Sequence, residues 1–212
     1  LVKSGLGELQ LTTKNSYTGG TTVEQGTVTV ANNEAFGTGS VVLKDATTLK
    51  SAADVSLANK ITLDSGAVFV QTPSDAQQTT SLTLSNIIDG DAAIVKRGAG
   101  TLSLTGQNTY TGNTLIEEGR VAINNAQSLG QNANVYLNSN TALESTQALV
   151  LDKKITLQGN DGTQATIKTT NGDMTLSGTL NNTGAKVGII KEGVSTLELQ
   201  GDNSSYEGKT TI

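Results

Sequence analysis

The chain has 212 residues, a net charge of −5, and neither cysteine nor histidine. This composition excludes disulfides, zinc sites of the usual Cys/His kind, and catalytic schemes that need an imidazole. Arg97 and Arg120 are the two arginines, so the sequence argues against a nucleic-acid partner, because phosphate binding needs clustered cations. No apolar run approaches the ~20 residues that a transmembrane helix requires.

The residue types are typical of short strands joined by tight turns. Thr (33), Asn (18) and Gly (24) dominate, whereas Pro occurs once and Trp is absent. Thr favours pleated surfaces, while Asn and Gly favour turns with positive φ. Apolar and polar residues alternate in short bursts, as at 8–11 and 101–104, without the 3.6-residue period of helices. We therefore predict an all-β fold.

A long motif occupies 2–30, returns at 95–123, and begins again at 190–212. Its second copy reads VKRGAGTLSLTGQNTYTGNTLIEEGRVAI. Glycine, leucine, asparagine and tyrosine recur at matching positions, and we predict that they form a structural repeat motif. These residues are Gly7, Leu9, Asn15, Tyr17, Gly19 and Gly26 in the first copy, Gly100, Leu102, Asn108, Tyr110, Gly112 and Gly119 in the second, and Leu197, Asn203, Tyr206 and Gly208 in the third.

The sequence between the motif copies also repeats, more faintly, as in KITL at 60–63 and 154–157. We predict one domain, 1–212, built from long units at 2–94 and 95–189 and the start of a third at 190–212. Repeating units of half-apolar strands are typical of solenoids, in which each coil buries its apolar face against neighbouring coils. Three strands of about five residues per coil predict a right-handed parallel β-helix of roughly nine coils.

The motif resembles the passenger-associated transport repeat of Gram-negative autotransporters. The run GAGTLSLTGQNTYTGNTLIEEGRV at 98–121 carries the resemblance, while the other copies depart from it at positions such as Glu8 and Ser195. The resemblance implies a secreted or surface-attached passenger, threaded through an outer-membrane β-barrel translocator outside this sequence. Because both chain ends fall inside motif copies, we expect a fragment of a longer protein.

The resemblance also implies an adhesin. We predict a rigid extracellular stalk that binds host cells, an extracellular matrix component or sibling bacteria, including by self-association, and that assists its own export. The alternatives are a polysaccharide lyase or hydrolase of the pectinase-like β-helix type, and a passenger effector that acts on a host receptor. The sequence identifies no ligand-binding residue.

Tyr17, Tyr110 and Tyr206 share one motif position. We predict that each ring packs at a corner of the solenoid, with its hydroxyl bonded to a turn carbonyl. The alternative is a periodic aromatic row that stacks on sugars or a partner. Rings four coils apart would be roughly 19 Å from one another, given the ~4.8 Å spacing between strands, and this distance favours packing.

Paired carboxylates are the candidates for catalysis, because β-helical lyases and hydrolases use such pairs. The pairs are Asp89 with Asp91, Glu117 with Glu118, and Asp152 with Asp161. Most lie in turn signals and follow the repeat, whereas a site that is needed once should break it. We predict that the chain is not an enzyme and assign no catalytic, cofactor-binding or metal-binding residue.

Two further features predict exposed surface. Scattered cations look like parts of solvated solenoid faces. They are Lys3, Lys96, Arg97, Lys153, Lys154 and Lys191. The polar insert at 72–78 contains Pro73 and predicts a surface loop or a segment outside a sheet edge, because proline cannot donate to a strand ladder.

Overall fold

The computed structural model describes residues 1–73, 80–131 and 133–212. These residues form 25 short parallel strands joined by turns, and they contain no helix. Within the same ranges, no helix is long and apolar enough to cross a bilayer. The all-β prediction is confirmed. Most of the predicted surface insert at 72–78 lies outside the described residues.

The strands stack into four parallel sheets. Sheet I contains β1 (Val2–Lys3), β3 (Thr21–Val23), β5 (Val41–Lys44), β8 (Ile61–Asp64) and β11 (Ile88–Gly90). Sheet II contains β2 (Glu8–Leu11), β4 (Thr27–Val30), β6 (Thr48–Ser51), β9 (Ala67–Gln71), β12 (Ala93–Arg97), β14 (Thr114–Ile116), β16 (Val135–Asn138), β19 (Ile155–Gln158) and β22 (Leu180–Asn182).

The other two sheets begin further along the chain. Sheet III contains β7 (Val55–Leu57), β10 (Ser81–Leu84), β13 (Thr101–Leu104), β15 (Arg120–Ile123), β17 (Ala142–Ser145), β20 (Gln164–Thr169), β23 (Gly188–Glu192) and β25 (Thr210–Thr211). Sheet IV contains β18 (Leu149–Leu151), β21 (Met174–Leu176) and β24 (Leu197–Leu199).

Within each sheet, every strand pairs with the equivalent strand of the neighbouring coil, which makes the chain a β-solenoid of about ten turns. Glu8 lies opposite Thr27 and Val55 opposite Leu82, so coil length varies with the connections. The structure has slightly more coils than the nine predicted, because several coils are shorter than the expected length. The right-handed twist of the solenoid stays a prediction from the crossover rule for parallel strands.

The order of strands along the chain distributes the sheets over three sides of the solenoid. Side 2 carries sheet II and side 3 carries sheet III, while side 1 carries sheet I and, further along, sheet IV. Two layers without strands join sheets I and IV on side 1. In these layers the Tyr110 amide donates to the Ile88 carbonyl at 3.2 Å, and the Gln131 amide donates to the Tyr110 carbonyl at 2.8 Å.

Alternation within the strands fills the interior with aliphatic side chains. On side 2, successive strands place Val28, Leu49 and Val70 in one inward row, and Ile116 and Leu137 continue it further along. All five side chains are buried. Burying one such side chain contributes about 1.5–3 kcal/mol, so the stability of each coil depends on the coils next to it.

The three motif copies start on three different sides. The first copy begins with β1 on side 1, the second with β12 on side 2, and the third with β23 on side 3. Sheet II advances by four steps from β2 to β12, and β1 lies one side before β2. One long repeat therefore covers four complete coils and one of the three sides of the next coil. The boundaries that we predict for the long units are untested.

Candidate binding surface

The motif asparagine connects neighbouring coils at a corner without a strand. Asn108 is completely buried. Its Oδ1 accepts a bond from the Ile88 amide at 2.9 Å, and its Nδ2 donates to the Ser128 carbonyl at 2.6 Å. Asn15 donates to the Ala35 carbonyl at 2.8 Å, the equivalent of the Ser128 bond. The asparagine thus satisfies backbone groups that would otherwise pair in a sheet.

The third copy preserves the other half of this arrangement. Asn203 Oδ1 accepts a bond from the Leu180 amide at 2.8 Å, which corresponds to the bond between Asn108 and Ile88. Each copy lies on a different side of the solenoid, yet its asparagine makes at least one of the two inter-coil bonds that Asn108 makes. The motif is therefore a corner that can replace a strand on any side.

The motif tyrosine closes the same corner. The hydroxyl of Tyr110 lies 2.7 Å from Thr114 Oγ1, and the equivalent Tyr17 hydroxyl lies 2.8 Å from Thr21 Oγ1. Tyr110 is completely buried, and burial raises the pKa of its hydroxyl, opposed by the bond to Thr114. The prediction that this ring packs at a corner is confirmed, but its hydroxyl bonds to the Thr114 side chain and not to a turn carbonyl. Because the copies face different sides, their tyrosines form no row along one face.

The motif lysine is buried, contrary to the prediction. Lys96 has no exposed surface and lies in the inward row between Val70 and Ile116. Its Nζ donates to the carbonyls of Arg97 (2.9 Å) and Gly98 (2.6 Å). Further bonds reach the Glu118 carbonyl (3.2 Å) and Thr72 Oγ1 (3.0 Å). The interpretation of this lysine as part of a solvated face is wrong, because converging carbonyls satisfy its charge.

The lysine contacts recur in the other copies. Lys3 Nζ, 8% exposed as a residue, donates to the carbonyls of Gly5 at 2.6 Å and Gln25 at 3.0 Å. Lys191 Nζ donates to the Gly193 carbonyl at 2.9 Å. Burial lowers the pKa of Lys96 to about 8, opposed by the charge of Glu118. The recurrence of the same bonds indicates that the lysine is a structural part of the motif.

Motif glycines lie where two coils approach closely. Gly119 has φ +70°, and a side chain there would meet the carbonyl oxygens of Gly98 and Gly100 at 2.4 and 2.6 Å. Gly26 has the same contacts in the first copy. A Cβ at Gly112 or Gly208 would also meet the preceding coil, whereas Gly7 and Gly19 have open space beside them. The motif leucine is fully buried at Leu102 and partly exposed at Leu9 and Leu197.

The candidate catalytic carboxylates bond to structural partners instead of converging. Asp89 Oδ2 lies 2.6 Å from Lys60 Nζ, and its Oδ1 accepts a bond from Thr62 at 2.6 Å. Burial raises the pKa of Asp89, but the bonds from Lys60 and Thr62 outweigh it and hold the pKa below its ordinary value. Asp91 accepts a bond from the Ser65 amide at 2.9 Å.

Three of the four remaining candidates are similar, and the fourth, Asp152, is an exposed side chain. Glu117 lies 2.6 Å from Arg97 Nε, Glu118 accepts a bond from the Gly98 amide at 2.8 Å, and Asp161 accepts one from the Lys186 amide at 2.7 Å. Among the described residues, no group of three or more Asp and Glu side chains is arranged to hold a metal ion. These carboxylates connect coils to one another.

A row of large side chains runs along the outside of side 2, and we call it the outer ladder. Its members are Phe69, Val95, Leu115 and Tyr136, each directly opposite the next on successive strands. The residues beside them in the strands are buried, so these four side chains point outward. Three strand spacings of ~4.8 Å make the ladder roughly 14 Å long.

A second row lies beside the outer ladder, and we call it the polar row. It consists of Gln71, Arg97, Glu117, Asn138 and Gln158. Arg97 forms the ion pair with Glu117, and its guanidinium carbon lies 4.0 Å from the centroid of the Phe69 ring. The two charges of the row thus neutralise each other, and the other members are amides.

Three of the four ladder members depart from the repeat, whereas Val95 keeps it as Val2 and Ile190 in the other copies. Tyr136 corresponds to Val42 on β5, Leu115 to Thr22 on β3, and Phe69 to Thr166 on β20. The corner residues Asn108 and Tyr110, in contrast, recur in every copy. Sequence reasoning missed the ladder because its residues lie in separate strands. The signal was an aromatic residue between two inward aliphatic residues, as in VFV at 68–70 and VYL at 135–137.

Comparisons with known proteins agree with the motif. The family described as Passenger-associated-transport-repeat matches residues 1–30, 94–123 and 189–212. The chain is 38% identical over 138 residues to the adhesin BmaC autotransporter of Brucella suis. The matched stretch covers 64% of this chain and 4% of that protein. It is 41% identical over 59 residues to an extracellular serine protease of Serratia marcescens, covering 28% and 5%. No solved structure gives a significant match.

The solenoid and the matched repeats define a β-helical segment of a secreted protein. The chain is a segment of an autotransporter passenger domain, and it contains passenger-associated-transport repeats. A location at the cell surface or in the secreted fraction follows. The chain spans only a few per cent of the length of the relatives that it matches.

Proposed function

We propose that this segment is an adhesive stalk: a rigid solenoid that carries a binding surface on its outside. The observation that carries the proposal is the similarity of 64% of the chain to part of an adhesin autotransporter. Adhesion would bring the segment into contact with a host cell, a matrix component or a sibling bacterium. Many weak contacts along such a rod could act together.

The packing of the corners supports a role in rigidity. Asn108 joins the coils before and after it, and Lys96 ties together the carbonyls of two turns. Both side chains are fully buried, so their bonds are shielded from water and hold the coils in one arrangement. A rod of this kind keeps an exposed surface at a fixed distance from its anchoring end.

Assistance to export is a second part of the proposal. A coil that forms outside the outer membrane presents strand edges on which the next coil can pair. Completed coils would not slide back through a narrow translocator, so folding would bias movement outward. The inter-coil bonds of the motif, such as that of Asn203 to the Leu180 amide, would form as each corner leaves the membrane.

We also propose that the segment acts without catalysis. Asp89 and Glu117 form ion pairs with Lys60 and Arg97, and the lowered pKa of Asp89 favours an ionised carboxylate over a proton donor. General acid catalysis in glycosidases requires a carboxyl group whose pKa is raised. The similarity to a serine protease covers 28% of the chain and carries no proposal of proteolysis here.

The test is binding of the purified segment to cultured host cells and to immobilised matrix proteins, with degradation of pectin and glycosaminoglycans measured in parallel. Saturable binding without degradation supports the adhesive stalk. Binding to neither surface, and no self-association of the segment, contradicts it. Degradation that disappears with Asp89→Asn or Asp161→Asn would replace the proposal with an enzyme.

A further inference from the structure

We propose that the outer ladder and the polar row on side 2 form a site for a short, uncharged oligosaccharide. The proposal names a ligand class for the adhesive stalk and in that sense rests on the proposed function. Two aromatic residues, Phe69 and Tyr136, lie neither at a motif corner nor in the interior of the solenoid. Both belong to the outer ladder. The remaining phenylalanine, Phe36, is completely buried.

The repeat separates structural from functional positions. Inward residues keep their aliphatic character between copies because they fill the interior. Outward residues of side 1 at equivalent positions are Val42 and Thr22, which the fold accepts equally well. The fold therefore does not require Tyr136 and Leu115. Residues that break the repeat on an exposed face are best explained by a ligand that binds there once.

The size of the ladder argues against a protein partner. A strip roughly 14 Å long and one side chain wide, with Val95 only 6% exposed, offers far less than the ~800 Å² that each partner buries in a stable protein interface. A second copy of this chain is disfavoured for the same reason. A ligand of a few sugar units matches this area.

The chemistry of the two rows matches a sugar chain. The Tyr136 ring and the Leu115 side chain can pack against the apolar C–H face of a pyranose, while its hydroxyl groups point sideways. The Arg97 guanidinium covers one face of the Phe69 ring, so only the uncovered part of that ring can contact a sugar. The polar row offers amide donors and acceptors from Gln71, Asn138 and Gln158 along one edge. This combination of an apolar base and a polar edge is what an amphipathic sugar ring requires.

Charge favours an uncharged ligand. Arg97 is the one cation among the five residues of the polar row, and it is already paired with Glu117 at 2.6 Å. Lys50 lies opposite Gln71, one strand beyond the end of the row. A sulfated or uronic chain would have to displace Glu117 from the guanidinium, at the cost of leaving a carboxylate beside another anion. A neutral oligosaccharide can accept hydrogen bonds from the exposed part of Arg97 and leave this pair intact.

The experiment exchanges ladder residues for those at the equivalent repeat positions: Phe69→Thr, Leu115→Thr and Tyr136→Val together. The control is Val42→Thr on side 1. Isothermal titration of the wild-type segment with neutral hexasaccharides of glucose, galactose, mannose or N-acetylglucosamine is expected to give saturable binding with at least one. The triple variant should bind about tenfold more weakly or not at all, and the control should bind like wild type.

Circular dichroism and the urea midpoint establish that the variants are folded. Absence of binding by every hexasaccharide overturns the proposal, as does equal binding by the triple variant. Tighter binding of heparin than of any neutral chain also overturns it. The same proteins are compared in the cell-binding assay. Cell binding that the triple variant retains leaves the adhesive stalk standing without this site, whereas hexasaccharide binding without cell binding supports the site and contradicts the stalk as an adhesin.

Discussion

The motif corners and the outer ladder place the same residue type in opposite environments. Tyr110 at a corner is completely buried and bonds to Thr114, whereas Tyr136 in the ladder is partly exposed on a sheet face. Tyr110 recurs as Tyr17 and Tyr206, while the equivalent of Tyr136 is Val42. This difference indicates that residues conserved between the motif copies of this chain join neighbouring coils. Outward residues that differ between the copies are free to contact a ligand.

The two tyrosines should differ most in how much their replacement lowers the free energy of unfolding. Tyr110→Ala removes a fully buried ring between coils and should lower the free energy of unfolding by about 3–5 kcal/mol. Tyr136→Ala removes a partly exposed ring and should lower it by about 1 kcal/mol or less. Urea unfolding followed by circular dichroism measures both. Equal losses for the two variants would contradict the distinction.

Two asparagines give the next contrast. Asn108→Ala leaves the Ile88 amide without the partner it has at 2.9 Å, and should cost about 2–3 kcal/mol. Asn138→Ala in the polar row should change stability by about 0.5 kcal/mol or less. Amide hydrogen exchange adds a local readout, since the Ile88 amide should exchange faster in the Asn108 variant only. Unchanged protection at Ile88 would show that the bond does not join these coils.

The contribution of the buried Lys96 to the free energy of unfolding should depend on pH. Because burial lowers the pKa of Lys96 from 10.5 to about 8, the unfolded chain holds this proton over a range in which the folded chain has released it. Stability from this group is therefore greatest above pH 10.5 and is lost as pH falls towards 8. The unfolding free energy of wild type, minus that of Lys96→Met, should rise across this window.

The control for the lysine is Lys44→Met, which changes an exposed residue of β5. Its stability should follow the wild-type pH curve. Subtracting the Lys96→Met curve also removes the opposing contribution of Tyr110, whose raised pKa makes alkaline pH destabilising in both proteins. Parallel curves for wild type and Lys96→Met would mean that the carbonyls keep the lysine charged throughout.

The ladder exchange should cost little stability for three substitutions and should leave the fold in place. Phe69→Thr, Leu115→Thr and Tyr136→Val place residues that the repeat already uses at equivalent positions of other sheets. Thr and Val favour strands, so the pairing within sheet II should persist. We expect the urea midpoint to fall slightly and the far-ultraviolet spectrum to remain that of a β-solenoid. Loss of the strand spectrum would mean that the ladder is required for folding.

The repeat in the sequence was sufficient to predict the solenoid and the motif corner. Leu102 and Leu104 alternate with polar residues, and both proved to be fully buried. The burial of Tyr110 was also predictable, because a bulky ring at a recurring turn needs a place to pack. Strand alternation is a local signal, and the stacking of coils then follows from repetition.

Two features required the three-dimensional arrangement. Lys96 was expected in solvent because the charge of an isolated lysine favours water. Two of the four acceptors around it, the Thr72 hydroxyl and the Glu118 carbonyl, belong to residues 24 and 22 positions away in the chain. The outer ladder was not predicted because its members are separated by a full coil each, although Phe69 and Tyr136 each stand between two aliphatic residues in the sequence. The advance of the motif by one side per repeat depends on counting strands per coil, which needs the observed pairing.

Cell binding by the wild-type segment, the ladder exchange variant and Tyr110→Phe tests the central claim most directly. Tyr110→Phe removes the hydroxyl that lies 2.7 Å from Thr114 but keeps the buried ring, so it should weaken the fold and leave binding unchanged. The ladder exchange should do the reverse: it should keep the fold and abolish saturable binding. Binding that is lost with Tyr110→Phe and kept by the ladder exchange would contradict the account.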